Sequence, residues 1–543
     1  MGKIYSYIRP LLSILYIRSL LSKSIANTKI NLIHRYFIQE AAAIVPDGSK
    51  PIIAIQGIEL LLYYSLFGQI SLDLRRRIGV SGRLVMIRSL TVGYSARAIF
   101  ERTDIVNYLI TSKWANINKE VVGPVGYRSQ SFNYFFSDLL DIWRSFRVWR
   151  RLDKTADISK LSIHQIIVGD LIIDSYLRFR PSPRFIAKDV FVWQILWQAH
   201  RDIRRAKAFF SKVKPAIYLS SYSTYIQHGI AVRAALAEGV PVYVFGSSDV
   251  FGKKLSVDDV YHLSGPETSR YRTLFENLDQ KEKRLSEAEK QLSQRLSGGI
   301  DHATSYMKVS AYATTDEAIP EVSGAVVVFL HDFCDSPHIF DDLIFIDFWD
   351  WIIYTIDILS KTGIRFFIKP HPNQIPESAE AVVLLMAMYP KLNMISPKIT
   401  NTQLVNAGMI CGVTTYGTVA YELAFMGVPT IACARHLYHS FDFCRTAKSV
   451  SEYKSFLQTP EYKPLPESEM RSQALAFLYM DKIYSGDNLV ALRKQLAAII
   501  TAIEDKEDGG AALLEEIKNL QELPFYKSLI DTLVNEIGKR NGQ

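Results

Sequence analysis

Two short runs hold the residue types best suited to binding an anion. Lys369-Pro370-His371-Pro372 follows the apolar stretch Ile364–Ile368. A strand that ends in a rigid turn presents its side chains at the carboxyl edge of the sheet, where α/β folds bind ligands. Pro370 and Pro372 restrict the backbone on both sides of His371 and fix its direction. A lysine and a histidine held there suit a monophosphate or diphosphate; the plainer alternative is a turn histidine that caps a helix. The second run, Gly412 to Pro429, reads as strand, hydroxyl-rich turn, helix and a Gly427-Val428-Pro429 turn into another strand. Thr414, Thr415 and Thr418, with Gly417, would place hydroxyls and backbone N–H groups at a helix start, a natural anion site. Glu422 lies four residues after Thr418, on the same helix face. Without a ligand, the same pattern is a threonine N-cap.

Three further clusters could carry chemistry. His331-Asp332-Phe333-Cys334-Asp335-Ser336-Pro337-His338 follows a strand-like stretch. Its spacing matches no dedicated metal motif, so an acid/base or substrate-contact loop built on His331 and Asp332 is the more economical reading. Asp170 and Asp174, four apart, share a helical face with Tyr176 nearby. His228 follows the polar aromatic loop Ser220–Tyr225, and it either contacts the acceptor or caps a helix. Together with Arg233 it is expected at the mouth of the first sheet, across a cleft from His371. Asp249 is a similar case after the Pro241 strand. The candidate catalytic residues are therefore His371, Asp332, His331, His228 and Asp170. The base or nucleophile stays open among Asp170, His228, Asp249 and Asp332. No Asp-x-Asp and no Walker A loop occur, so no metal ligand is assigned and catalysis is expected without a divalent ion.

Positioning such groups takes sheets. Candidate strands are Pro51–Gln56, Arg83–Arg88, Ala216–Ser220 and Pro241–Phe245, then Ala325–Leu330, Ile364–Lys369, Gly408–Val413 and Val428–Ala432. Strands spaced by helix-length segments predict βαβ units and parallel sheets. Two such series predict two doubly wound, Rossmann-type domains facing a cleft. The expected divisions are a basic apolar segment 1–45, an acceptor domain 46–265, a helical bridge 266–318, a nucleotide-sugar domain 319–505 and a helical tail 506–543. The bridge rests on the charged stretch Glu276–Arg295, with Asp279/Lys283 and Glu287/Lys290 at helical spacing.

Composition narrows the partners. A chain of 543 residues that is 48% apolar and 22% charged can bury more than one core. The net charge of +8 fits anionic sugars, phosphates or lipids. No zinc-finger spacing or RNP-like aromatic stretch points to nucleic acid. The four cysteines form no C-x-x-C pair, which fits a reduced cytoplasmic protein. Lys3, Arg9, Arg18, Lys23, Lys29 and Arg35 sit among apolar runs with Glu40 as the sole acid of the first 40 residues. Such a segment could lie on an anionic membrane surface, or equally form a docked terminal helix.

In this order, and about forty residues apart, Lys369–Pro372 and Thr414–Pro429 are more specific than either run alone. The chain here resembles the capsule polysaccharide biosynthesis family, bacterial GT-B glycosyltransferases that include β-Kdo transferases. Val168–Tyr176 and Gln227–Arg233 add weaker support, and the resemblance spans roughly residues 160 to 460. It implies that His371, Thr414 and Thr415 hold the phosphate of a nucleotide-sugar donor, CMP-linked donors included. It further implies transfer of Kdo or another acidic sugar onto a surface polysaccharide or glycolipid acceptor. The competing readings are a CDP-alditol phosphotransferase and a non-catalytic scaffold of the same fold in capsule assembly. Product linkage separates the first, and donor turnover the second.

Overall fold

The computed structural model describes residues 28–44, 51–57, 60–86, 119, 125–128, 135–152, 158–180, 182–246, 250–263, 268–299, 312, 315–372, 374–484, 486–505 and 509–541. The chain divides into two compact units. One comprises Met1–Ile172, Ala187–Leu263 and Asp487–Gln543; the other comprises Ile173–Ile186 and Ser264–Gly486.

The first unit is built on strands β1 (Ile52–Gly57), β2 (Ser81–Met86) and β3 (Val125–Arg128). A small hairpin follows, β4 (Ser162–Ile163) and β5 (Ile166–Ile167), then β6 (Ile217–Ser220), β7 (Val242–Val244) and β8 (Lys253–Leu255). The six-stranded sheet has the order β3-β2-β1-β6-β7-β8. All neighbours are parallel except β7 and β8. Chain connections therefore run outward in opposite directions from β1 and β6, the doubly wound arrangement with its switch point between those two strands.

The second unit holds β9 (Val326–Phe329), β10 (Phe366–Lys369), β11 (Cys411–Val413), β12 (Thr430–Ala432) and β13 (Cys444–Thr446). Their order is β10-β9-β11-β12-β13, and every pairing is parallel. Strand β9 shows why this sheet is covered on both faces. Its residues are all buried and alternate between two cores. Val326 and Val328 join Trp351, Ile352 and Ile356 on one side, while Val327 and Phe329 join Ile395, Leu404 and Leu423 on the other. Period-two side chains with no polar face are what a doubly covered parallel strand requires.

The helix Phe348–Thr362 covers the first of these faces. Phe348, Trp351, Ile352, Thr355, Ile356 and Leu359 are buried, a helical stripe at spacings of three and four. It starts at Asp347, whose side chain accepts the Asp350 N–H at 2.7 Å. It stops at Gly363, where φ is +72° and a side chain would be strained.

The α/β, doubly wound architecture expected from the sequence is present in both units. Eight strands lie close to their expected positions; β3, β8 and β13 and the small hairpin were not anticipated. The helical region around Glu276–Arg295 is not a bridge. Helix Lys281–Leu296 buries Ala288 and Leu292 in a core of the second unit shared with Met470 and Ala474. Nor is the tail separate. The helices Ala511–Glu522 and Pro524–Asn541 contribute Ile517, Leu520, Leu533 and Ile537 to the core beneath the first sheet.

The same core takes in part of the basic N-terminal segment. Residues 1–27 lie outside the described residues. Helix Thr28–Ala42 buries Ile33 and Phe37. Lys29, one of the cations that left a lipid surface or a docked helix open, is buried and donates to the carbonyls of Ala502 and Asp505. Those carbonyls end the helix Gly486–Glu504, where a cation is favoured. This stretch is a docked helix. Among the described residues, no helix is long and apolar enough to cross a membrane.

Candidate functional site

In the second unit, strand register brings the two anion-binding runs together. Lys369 pairs with Phe329, and Val413 pairs with Val328, so β9, β10 and β11 end at nearly one level. The residues that follow are His331 after β9, His371 after β10 and Thr414 after β11. Connections leave β9 and β11 in opposite directions, so their carboxyl ends flank the switch point of this sheet.

His331 Nε2 lies 3.1 Å from Thr414 Oγ1. The ring stacks on Phe348, with centroids 4.9 Å apart, and leans on Tyr416 at 4.8 Å. Removal from water, reinforced by nearby His371, pushes its pKa down to about 3. His331 is therefore a neutral imidazole. Thr414 Oγ1 also accepts the Gly417 N–H at 3.2 Å. A Cβ at Gly417 would lie 2.8 Å from that oxygen, so the turn closes only with glycine here.

Lys369 is 6% exposed, with its ammonium 5.9 Å from the Phe329 ring centroid. Burial lowers its pKa to about 8, and the Glu422 carboxylate partly offsets that. Glu422 is itself buried and occupied, accepting from Tyr312 Oη at 2.7 Å and Asn401 Nδ2 at 2.9 Å. Desolvation raises its pKa, against the Tyr312 hydrogen bond and the Arg295 charge. Glu422 thus offsets part of the cost of burying the Lys369 charge. His371 is partly exposed, and desolvation lowers its pKa despite the Asp332 carboxylate. Burial thus favours His371 as a neutral, hydrogen-bonding ring over an imidazolium.

The threonines divide. Thr414 and Thr415 are buried, Thr418 is exposed. Thr415 Oγ1 has no hydrogen-bond partner among the described residues. The helix that Thr418 precedes is only Val419–Phe425, and the Thr418 side chain does not cap it. The Gly417 N–H, just before that helix, is taken by Thr414. Thr414, Gly417 and His331 form a compact hydrogen-bonded knot beside that helix start.

Asp332 does not have the arrangement of a free acid or base. Its oxygens accept from Cys334 N at 3.0 Å, Ile375 N at 3.1 Å and Ser378 Oγ. It ties the loop after β9 to the start of helix Pro376–Met388. Asp170 is likewise committed, held by both terminal nitrogens of Arg233. The carboxylates at 170 and 174 do share a helix, Gly169–Phe179, but serve different partners. Asp174 Oδ1 meets His338 Nδ1 at 2.7 Å, with both side chains buried. That carboxylate–imidazole pair, an arrangement used to orient general bases, was missed because its members lie 164 residues apart.

The first unit has polar groups at its own switch point. Gln56 is the penultimate residue of β1, and its Oε1 accepts from Ser221 N and Ser221 Oγ, each at 2.7 Å. Because the Ser221 N–H can only donate, the amide orientation is fixed and Gln56 Nε2 faces His228 Nδ1 at 2.7 Å. The other ring nitrogen, His228 Nε2, lies 3.2 Å from Gln227 Nε2, so side-chain amides meet the imidazole on both sides. Burial, with His262 nearby, holds the His228 pKa at about 3. His228 is therefore a neutral ring held between two side-chain amides. Tyr222 packs against both rings, 5.7 Å from His228 and 5.1 Å from His262. Asp249 lies outside the described residues.

No family model matches the chain. No curated protein matches it either. Among solved structures, UDP-GlcNAc 2-epimerase from Neisseria meningitidis bound to UDP-GlcNAc is similar at 11% identity and a TM-score of 0.23, covering 83% of this chain and 99% of that one. S. aureus MnaA with UDP is similar at 10% identity and a TM-score of 0.24, covering 84% and 97%. A UGT transferase from Siraitia grosvenorii in complex with UDP shares 11% identity at a TM-score of 0.21, covering 90% and 99%. Likeness of this degree carries no argument about chemistry, so the reading of the site rests on its own residues.

Proposed function

We propose that this chain is a glycosyltransferase that takes a sugar from a nucleotide-activated donor and uses the second unit to hold the donor phosphate. The observation that carries the reading is Lys369: a nearly buried cation at the carboxyl end of a parallel sheet, with no hydrogen-bonded acid among the described residues. Burying a charge is costly unless a partner arrives. An anionic phosphate at the switch point is the partner this position suits. His371 and His331, as neutral rings, supply hydrogen bonds without adding charge. Glu422 limits the excess charge before the donor binds.

Departure of the nucleotide leaves negative charge on phosphate, and fixed donors aimed at that charge lower the barrier. Lys369 supplies a full positive charge of its own, so no divalent ion is needed to neutralise the leaving group. The acceptor is expected to be a surface polysaccharide or glycolipid, and the sugar Kdo or another acidic one; this finer reading rests on the motif resemblance and the basic net charge.

A thermal-shift panel of CMP, CDP, UDP, GDP and TDP on the full chain tests the proposal. One nucleotide should raise the melting temperature, and Lys369→Met should abolish the rise. No response to any nucleotide, or an equal response from the variant, would overturn it. Incubation of the matching nucleotide sugar with acceptor glycan should then give a glycosidic product. A phosphodiester product, or an epimerised sugar without transfer, would replace the transferase reading. A tenfold gain in turnover on adding magnesium or manganese to metal-depleted protein would overturn metal independence.

A further inference from the structure

We propose that Asp141, His164 and His200, all in the first unit, form a binding site for a late first-row divalent metal ion, zinc being the ion expected. One donor atom from each residue can be chosen so that all three lie within 4.8 Å of one another. Three separate elements supply them. Asp141 lies on helix Phe135–Arg151, His200 on helix Val190–Val213, and His164 in the turn between β4 and β5.

Two independent features point to a ligand. His200 is 7% exposed, and neither of its ring nitrogens has a hydrogen-bond partner among the described residues. A neutral imidazole always carries one N–H and one lone pair, so both are left unused in a dry setting. The fully buried Asp141 uses Oδ2 to accept from Arg204 at 2.7 and 2.9 Å, while its Oδ1 accepts no hydrogen bond. The second feature is the turn. His164 and Gln165 both have positive φ, +50° and +67°. A two-residue hairpin turn of this kind favours Asn-Gly, and other residues there are strained. His-Gln is a poor choice for making the turn and a good one for presenting an imidazole. That ring stands edge-on to His200, with centroids 5.8 Å apart.

Two imidazoles and one carboxylate suit zinc and its late first-row neighbours over calcium or magnesium, which prefer all-oxygen sets. The guanidiniums of Arg144 and Arg204 beside Asp141 further disfavour a purely electrostatic site for hard cations. A tetrahedral zinc with bonds near 2.0–2.2 Å places its ligands roughly 3.4 Å apart. Exposed His164 is the ligand able to close that gap, and ordered solvent would complete the coordination. The ion would clamp the hairpin to the helix pair, a structural role separate from donor binding.

The test uses the full chain, depleted of metal with a chelator and then titrated with zinc chloride. Wild-type protein should bind one zinc tightly and melt at a higher temperature when loaded. His164→Ala removes an exposed ligand and should leave the metal-free melting temperature unchanged. Its zinc affinity should fall at least about tenfold. Cobalt-loaded wild type should show the intense visible absorption of a four-coordinate ion, and His164→Ala should lose it. Absence of zinc binding by wild type, or equal affinity and cobalt spectrum in the variant, would overturn the site.

Discussion

His331 Nε2 sits 3.1 Å from Thr414 Oγ1, and this contact links the loops after β9 and β11. The link matters because those two strands send their chains in opposite directions, which opens the crevice where doubly wound sheets take ligands. Thr414 spends a lone pair on the Gly417 N–H. The geometry of the turn is thereby set before any ligand arrives. His371 and Lys369 approach the same level from β10. The mouth of the second sheet is thus a preorganised polar patch supported by stacked aromatic rings on one side.

His371→Ala should lower turnover by about a hundredfold or more, the usual loss for one well-placed donor to developing charge. The melting temperature should hold, because His371 is a partly exposed turn residue. Steady-state rates alongside melting curves decide the matter. Near wild-type turnover would remove His371 from the phosphate site, and loss of activity through unfolding alone would make it a structural turn residue.

Nucleotide affinity should fall as pH rises through about 8, because Lys369 loses its charge there. Stability of the free protein should move the other way. In the unfolded chain a lysine titrates near 10.4, so between about 8 and 10.4 the unfolded state binds more protons than the folded state. Stability contributed by this group therefore rises with pH in that window and is absent below it. Lys369→Met should remove both trends and raise stability at neutral pH. Nucleotide titrations and urea melts at pH 7 and pH 9 check the two signs.

Asp332→Asn should cost stability, about 1–3 kcal/mol, since one amide oxygen cannot replace a carboxylate that accepts three donors. The pH profile of the remaining turnover should keep its shape. A profile that loses an ionisation on this substitution would restore Asp332 as an acid or base.

The sequence reading succeeded where structure is local and failed where partners are remote. Apolar runs such as Val326–Phe329 announced themselves as buried strands, and Pro370 and Pro372 marked the strand end beside His371. Strand β13 (Cys444–Thr446) carries a charged residue in three, Arg445, so no apolar run flags it. The partners of Glu422 were invisible because Tyr312 and Asn401 lie 110 and 21 residues away. Thr400 and Gln403, which form a capping box, were a readable signal that would have placed Asn401 at a helix start. Sequence displays the carboxylates of Asp332 and Asp170 without showing the donors they accept from.

Thr415→Val should produce two effects of opposite sign. Thr415 Oγ1 is buried without a hydrogen-bond partner among the described residues. A buried hydroxyl left unpaired is costly, and valine keeps the shape while deleting the polar atom. The ligand-free protein should therefore melt at a higher temperature than wild type. If the hydroxyl is reserved for the donor phosphate, nucleotide binding should weaken by roughly 1 kcal/mol for one lost hydrogen bond. Melting curves without ligand and titrations with the nucleotide that the panel selects measure both. Stabilisation with unchanged affinity would make Thr415 a packing residue; weaker binding with a higher melting temperature would place its hydroxyl on the ligand.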